Sequence, residues 1–265
     1  MRSSFRYVPI LMGLLAISLT VSIPNQATAA MTTQIFTKPD DFTDPAARQF
    51  AAHVAAGKVP AALDAAESLP RGVNVIGTKG ASGLEIAVEH QDKSMIAALL
   101  AAGAEPDGAP GTTPVAMAIR FNDLSIARQL LAAGADPNGF MDQNSALQEA
   151  ALLGATDAIE LLLKAGANVN QADELSETAI LTTASTDNWA TVGQLMDHGA
   201  SIWPSNRPGV TVALLASDSR VLPNHPEGAA LQKVVARLRT AGAPWPPPDA
   251  RQVRALRDAG RWPPK

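Results

Sequence analysis

The sequence predicts an all-α solenoid of about six helix-turn-helix units, with short hairpin-like turns and a half-repeat cap at the C-terminus. The stretch LLAAGADPNG, from Leu130 to Gly139, recurs along nearly the whole chain. Other copies begin at Leu99, Leu162, Leu195 and Leu238, and a fainter copy begins at Leu69. Aligning the copies places their glycines at Gly72, Gly103, Gly134, Gly166, Gly199 and Gly242, with intervals of 31, 31, 32, 33 and 43 residues. A period in the low thirties is typical of stacked helical repeats, in which no unit is stable alone.

Each unit is predicted to contain two helices. Apolar residues with helical spacing precede each repeat glycine, as between Leu124 and Leu131, and the glycine suits the left-handed position that ends a helix. A hydroxyl residue suited to begin the first helix of a unit stands 21 residues before the glycine, at Ser82, Thr113, Ser145 and Thr178. Pro114 follows at the first helical position of the third unit. The Asp, Asn, Pro and Gly residues after the repeat glycine favour tight turns rather than a third helix.

Two segments show the repeat most clearly. Thr113 to Asn138 is TPVAMAIRFNDLSIARQLLAAGADPN, and Ser145 to Asn170 is SALQEAALLGATDAIELLLKAGANVN. This pattern resembles the ankyrin repeat, and the second and fifth units are similar to it as well. The first unit has Ala51 where the opening hydroxyl is expected, and the sixth, which opens at Thr211, carries about ten extra residues. The resemblance runs from Phe50 to the C-terminus and implies an ankyrin-type fold with a protein partner.

The first 30 residues are predicted to be a signal peptide. Arg2 and Arg6 precede an apolar run from Val8 to Ile23, and a small-residue cleavage motif follows at Ala27 to Ala29. Cleavage near Ala29 or Ala30 predicts a periplasmic or secreted protein without a stable membrane anchor; the alternative is an uncleaved anchor. The predicted organisation is a signal peptide at 1–30, an extended arm at 31–43 and a repeat domain at 44–265, with units at approximately 44–76, 77–108, 109–140, 141–173, 174–206 and 207–247 and a capping helix at 248–265.

Charge is unevenly distributed along the chain. The formal net charge is −4, and removal of the leader, which contains two arginines and no acidic residue, makes it −6. The segment 233–265 has eight basic and two acidic residues, whereas 31–232 has eleven basic and twenty-three acidic residues. Nucleic-acid binding is therefore not expected of the acidic body. The chain has no cysteine, which excludes disulfides, thiol chemistry and a lipid-modified cysteine.

No catalytic or metal-binding pattern is found in the sequence. His53, His90, His198 and His225 fall in four different units, without the partner spacing that builds a helical metal site. No nucleophile elbow or phosphate-binding glycine loop is present. We therefore expect a protein without catalytic activity, metal or cofactor.

The resemblance implies that a partner contacts the turn tips and the inner face of the first helices. Transferred by register, the partner-binding positions are Lys79, His90, Arg120, Phe121, Met141, Asp142, Asn144, Leu152, Leu153, Glu174, Leu175 and Glu177. The same register also includes Glu89, Thr112, Ser185 and Thr186. Phe121, Met141, Leu152, Leu153 and Leu175 occupy slots where the fold needs no apolar side chain, which predicts an exposed apolar patch with a polar rim. The alternative is that one or two of these side chains pack between repeats as core.

Two further candidate surfaces lie near the C-terminus. A secondary surface for an acidic or glycan-like partner consists of Trp203, Trp245, Arg251, Arg254, Arg257 and Trp262. The alternative is that these tryptophans seal the end of the solenoid. The insertion at 217–228 lengthens the loop between the two helices of the sixth unit, either as a binding element or as a neutral extension.

The sequence therefore predicts an exported protein-binding module, monomeric when free. One role implied by the resemblance is that of an immunity-like protein, which covers the active face of a secreted toxic enzyme with a preformed concave surface. The other is that of a periplasmic scaffold or stress-resistance accessory protein, similar to ankyrin proteins linked to catalase.

Overall fold

The computed structural model describes residues 38–109, 111 and 113–264. The predicted signal peptide and most of the predicted arm lie outside these residues. Within them, no helix is both long enough and apolar enough to cross a membrane.

The described residues form thirteen α-helices, two short 3-10 helices and one two-stranded sheet. The helices are α1 (Pro45–Ala55), α2 (Val59–Glu67), α3 (Gly83–Glu89), α4 (Lys93–Ala101), α5 (Pro114–Arg120), α6 (Leu124–Ala132), α7 (Ala146–Leu152), α8 (Thr156–Lys164), α9 (Ala179–Ser185), α10 (Trp189–Asp197), α11 (Val212–Asp218), α12 (Pro226–Thr240) and α13 (Ala250–Asp258). The 3-10 helices are Pro39–Asp41 and Gly72–Asn74, and the strands are β1 (Phe140–Met141) and β2 (Asn144–Ser145). The fold is therefore all-α apart from a small hairpin.

The helices stack in two layers. Consecutive helices pair, from α1 with α2 to α11 with α12, and each pair is one unit. The first helices form a continuous layer in which α1, α3, α5, α7, α9 and α11 each pack against the next. The second helices form the other layer, where α2 contacts α4 and α10 contacts α12. The core between the layers consists mainly of alanine, leucine, isoleucine and valine, so the units bury one another's apolar faces.

The predicted helix boundaries are confirmed at five of the six repeat glycines. All six have positive φ, between 55° and 97°, and five of them directly follow the C-cap residue of a second helix. Gly72 is the exception, because α2 ends at Glu67 and Gly72 is the first residue of a 3-10 helix. Ser82, Thr113, Ser145 and Thr178 are the N-cap residues of α3, α5, α7 and α9. Thr113 and Thr178 make no side-chain cap hydrogen bond, whereas the Ser145 hydroxyl accepts one from the Gln148 N–H.

Side chains in the turns link each unit to the next. The Asn74 amide oxygen accepts a hydrogen bond from the Glu105 N–H at 2.8 Å. The same bond recurs further along the chain, from Asp136 N to the Asp107 side chain, from Asn168 N to the Asn138 side chain and from Ser201 N to the Asn170 side chain, each at 2.7 Å. The Asp and Asn residues after the repeat glycines therefore bind the backbone of the following unit.

The terminal units depart from the regular repeat. The first helix of unit one has eleven residues rather than seven and begins after Asp44, so Ala51 lies inside α1 rather than at its start. In unit six, α12 has fifteen residues where the preceding second helix, α10, has nine. The insertion therefore lengthens the second helix of that unit as well as its loop, which is a correction to the prediction of a longer loop alone.

A carboxyl group is buried at the start of α3. Glu85 accepts hydrogen bonds from the backbone N–H groups of Ser82 and Ala109, so it joins unit two to the turn that follows it. Burial of the carboxylate raises the pKa of Glu85 from 4.5 to about 7, and those N–H donors only partly oppose the shift. A raised carboxyl pKa favours folding below pH 4.5, and that contribution is lost as the pH rises toward 7.

We expect Glu85→Gln to remove this pH dependence. The free energy of unfolding of the variant, relative to the parent protein, should rise by up to about 3 kcal/mol between about pH 4 and pH 8, since only the parent must bury a carboxylate at high pH. Urea denaturation at a series of pH values measures the difference. Glu105→Gln, which neutralises an exposed carboxyl, is the control, and parallel pH profiles for the Glu85 variant and the parent would contradict the assignment.

Candidate protein-binding face

The central predicted residues lie on the layer of first helices and on the turns beside it. Arg120 and Leu152 are the last residues of α5 and α7, and Phe121 and Leu153 follow as their C-cap residues. Asp142 is in the tight turn between β1 and β2. Glu174, Leu175 and Glu177 belong to the next turn, in which Ala172 forms a β-bridge with Thr178. We call the surface formed by these turns and first-helix ends the first-helix face.

Three of the five predicted apolar residues are exposed. Leu152, Leu153 and Leu175 keep 48%, 49% and 47% of their surface accessible. The first two are adjacent in the chain at the end of α7, and Leu175 is in the turn that precedes α9. Their exposure leaves apolar area that a partner could remove from water.

The other two apolar residues belong to the core, contrary to the prediction of an exposed patch that includes them. Met141 is 2% exposed and is part of the hydrophobic cluster, because alternate residues of the short strand β1 point to opposite sides and Met141 points inward. Phe121 is partly buried and packs against the same cluster. The alternative reading, that some of these side chains pack between repeats, therefore applies to both.

Arg120 is held in a hydrogen-bonded network within the face. Its guanidinium donates to both carboxylate oxygens of Glu149, at 3.0 and 2.6 Å, and to Asp142 at 2.8 Å. Asn144 also donates to Glu149, at 2.9 Å. Hydrogen bonds from Arg120 to Glu149 raise the pKa of the guanidinium, since the carboxylates stabilise its charge. Arg120 and Asp142 therefore brace α5, α7 and the β1–β2 turn, in addition to any role at a polar rim.

The remaining predicted residues also have contacts within the chain. Lys79 forms an ion pair with Asp41 at 2.9 Å, and His90 Nδ1 lies 2.9 Å from the Ile86 carbonyl oxygen. Glu177 accepts a hydrogen bond from Asn206 at 3.0 Å, and burial raises its pKa. Four further positions were transferred by the same register. Glu89 is buried, and the Ser185 and Thr186 hydroxyls donate to backbone carbonyls in α9. Thr112 lies outside the described residues.

The C-terminal residues divide between sealing the stack and facing solvent. Arg254 donates to the Pro208 carbonyl, and Arg257 donates to the carbonyls of Asn206 and Arg207 at 3.0 and 3.2 Å. The rings of Trp203 and Trp262 meet edge to face at a centroid distance of 5.9 Å, and Trp262 Nε1 donates to the Trp203 carbonyl. Trp245 and Arg251 are exposed. The structure thus places four of the six predicted residues in contacts that hold α13 and the C-terminal segment against the turn between the fifth and sixth units.

A separate groove lies on the second-helix layer. It has a volume of about 770 Å³ and runs between α10 and α12, with Ala190, Gly193 and Ala230 among its lining residues. His198 Nε2 lies 2.8 Å from a Glu160 carboxylate oxygen at its edge. Within the described part of the chain, no group of three or more His, Asp or Glu side chains is arranged to hold a metal ion.

Sequence reasoning missed Glu149, the acid at the centre of the network. Its register equivalents, Met117 and Thr182, give no indication of an acid at this position. The spacing of the two residues could have indicated the pair. Glu149 follows Arg120 by 29 residues, which is close to the length of one repeat and therefore places the two residues on adjacent first helices.

Comparison with known families supports this architecture. Residues 84–173 match the family model for ankyrin repeats, described as three copies. This central segment is similar to an array of ankyrin repeats. Ankyrin repeats are generally protein-binding modules and are typically non-catalytic. The matched residues include the Arg120 network and Leu152 and Leu153, and a search of curated proteins finds no match to the chain.

Arg120→Ala should destabilise the repeat array by about 2–4 kcal/mol, because it leaves the buried Glu149 carboxylate without its guanidinium partner. Adding Glu149→Gln should recover part of the loss, since no uncompensated charge then remains. Guanidinium denaturation of the three proteins gives the values. Asp142→Ala, which removes the exposed member of the network, should cost less than about 1 kcal/mol; equal losses for the Arg120 and Asp142 variants would contradict this account.

Charge reversal is expected to have different effects at two arginines of α13, one that contacts the neighbouring turn and one that is exposed. Arg257→Glu should remove two charge-assisted hydrogen bonds, worth about 1.5–3 kcal/mol each, and release α13 from the turn that it contacts. Hydrogen exchange should then be faster across α13. Arg251→Glu makes the same charge change at an exposed position of the same helix and should leave exchange near that of the parent; matching exchange in both variants would overturn the sealing role.

Proposed function

We propose that this ankyrin-repeat protein binds another protein through the first-helix face and has no catalytic activity of its own. The observation that carries the proposal is the set of half-exposed leucines, Leu152, Leu153 and Leu175, on units four and five. Apolar side chains in a well-packed patch supply much of the affinity of protein interfaces. These three would be the centre of the contact, with Glu174 as a polar neighbour.

The contacts around the leucines support recognition by a preformed surface. Arg120 fixes the β1–β2 turn, and the Asp173 side chain fixes the next turn by accepting hydrogen bonds from the N–H groups of Leu175 and Glu177, each at 2.8 Å. A surface that is ordered before binding loses less conformational entropy when the complex forms. The partner would therefore meet a nearly rigid face.

We further propose that the protein acts outside the cytoplasm, in the periplasm or after secretion, and that it neutralises its partner. The basis for export is the leader pattern of residues 1–30, with its cleavage motif before Met31. The basis for neutralisation is the ankyrin-type face, which would occupy an active surface as one tight, stoichiometric contact. A partner of this kind would be a secreted toxic enzyme.

Leu153→Arg should abolish partner capture without unfolding the repeats, because Leu153 is exposed and its replacement places a charge in the apolar centre of the contact. The protein from Met31 onward is used as bait in extracts of the cell envelope and culture medium. Any captured protein is then purified and titrated against the parent and the variant. We expect one partner, bound in equal amount, with at least about a tenfold loss of affinity in the variant.

The control is Ala97→Arg, which adds the same charge to an exposed position of α4 on the second-helix layer. It should bind like the parent. Phe121→Asp is a poorer probe, since Phe121 packs against the core and its replacement would also lower stability. Many weak partners, held equally by the parent and Leu153→Arg, would contradict neutralisation and favour the scaffold role.

A further inference from the structure

The loops between the two helices of each unit form a row along one edge of the array. Gly154, in the loop of unit four, packs against the Asn188 side chain in the loop of unit five. The loop of unit six joins the row because the Ser219 hydroxyl donates to the Asp187 carboxylate at 2.7 Å. Leu153, at the start of the unit-four loop, and the inserted loop of unit six are therefore on the same edge, with the loop of unit five between them.

The inserted loop, residues 219–225, is ordered by contacts at both ends, and we call it the unit-six loop. Besides the Ser219 bond, the Ala190 N–H at the start of α10 donates to the Glu227 carboxylate at 2.8 Å, which ties the first turn of α12 to unit five. Within the loop, the His225 N–H donates to the Leu222 carbonyl at 2.9 Å. Gly228 packs so closely on Leu222 and Pro223 that a Cβ at that position would collide with their backbone.

This ordered loop presents an apolar side chain to solvent. Leu222 is 65% exposed, more than any other large hydrophobic residue described, whereas Val221 beside it packs against the core. The exposure of Leu222 is not a general property of the loop, because the neighbouring Val221 points toward the core. An exposed apolar tip on a preordered loop has the form of an interface anchor, since little entropy is lost when a pocket closes around it.

The acidic side chains near the tip of the loop already accept hydrogen bonds from the chain, whereas a basic side chain beside them forms no ion pair. Asp187, Asp218 and Glu227 each accept a hydrogen bond from the chain, at 2.7, 3.4 and 2.8 Å. Arg220 is exposed and forms no ion pair with the described residues. A partner surface that meets this edge gains from carboxylates opposite the guanidinium.

We propose that the unit-six loop is a second contact point for the partner protein, and that the partner carries there an apolar pocket bordered by carboxylates. Leu222 fills the pocket and Arg220 pairs with its acidic rim. The inference rests on the proposed function, because the partner that covers Leu153 is taken to extend along the same edge to unit six. The insertion thereby widens the binding surface beyond the repeats of standard length.

A displayed library of random peptides, selected against the protein from Met31 onward, tests the proposal without knowledge of the partner. We expect enriched peptides that combine aromatic or aliphatic residues with Asp or Glu. Leu222→Ser should weaken these peptides by at least about tenfold, and Arg220→Glu should weaken them and reverse their preference for acidic residues. The control is Arg128→Glu, which makes the same charge reversal as Arg220→Glu at an exposed position of α6 on the second-helix layer.

The outcomes separate this inference from the proposed function. Peptides lost with Leu222→Ser and with Arg220→Glu but kept with Arg128→Glu support the unit-six site. Peptides lost with Leu153→Arg and unaffected by Leu222→Ser leave the first-helix face standing and overturn the unit-six site. Enrichment of basic peptides, or no enrichment at all, also overturns it. Circular dichroism of each variant ensures that loss of binding is not loss of fold.

Discussion

Neighbouring units of this protein hold each other through a repeated hydrogen bond from a turn side chain to the backbone of the next unit. Asn74, Asp107, Asn138 and Asn170 make this bond at successive turns. Packing of the first helices buries the apolar side of the same junctions. Because each unit is completed by its neighbour, the spacing between units cannot vary freely, and the turn tips and helix ends are placed at regular positions. The proposed binding face is a consequence of this register.

Regular spacing also decides which side chains are free to contact a partner. At the last position of the first helix, the chain has Glu89, Arg120 and Leu152 in units two, three and four. The glutamate is buried, the arginine is bound to Glu149, and the leucine is half-exposed. One structural slot therefore holds a side chain that stabilises the fold in one unit and a half-exposed apolar side chain, which we propose to contact a partner, in another. The first-helix face therefore has a hydrogen-bonded polar part around Arg120 and an apolar part in which the leucines are exposed.

The parts of this structure that were predictable are those set by local backbone chemistry. A glycine that must adopt positive φ, or a hydroxyl residue at a helix N-terminus, can be recognised from spacing alone. The burial of Met141 was not predictable in this way, because it depends on which side of a two-residue strand meets the core. The role of Glu149 depends on a guanidinium from the preceding unit, 29 residues away. The added turns of α12 could not be separated from loop residues, because Gly228 in its first turn disfavours a helix and Pro226, which suits the first position of a helix, is also common in turns.

The C-terminal end shows how one basic segment can have two physical roles. Arg254 and Arg257 lie on the side of α13 that meets the turn of unit six, where their guanidinium groups satisfy three backbone carbonyls. The Asn206 carbonyl also accepts a hydrogen bond from the Gly209 N–H, and the two arginines supply donors to the carbonyls of Arg207 and Pro208. Sealing is therefore sufficient to account for Arg254 and Arg257. Arg220 lies in the unit-six loop and satisfies no group of the described chain. A guanidinium that is hydrogen-bonded to backbone carbonyls attracts the carboxylates of a partner less strongly than a guanidinium without such contacts. Arg220 has a guanidinium of the second kind within the described residues. The proposed recognition at this end is therefore assigned to the inserted loop, while the arginines of α13 hold the end of the array together.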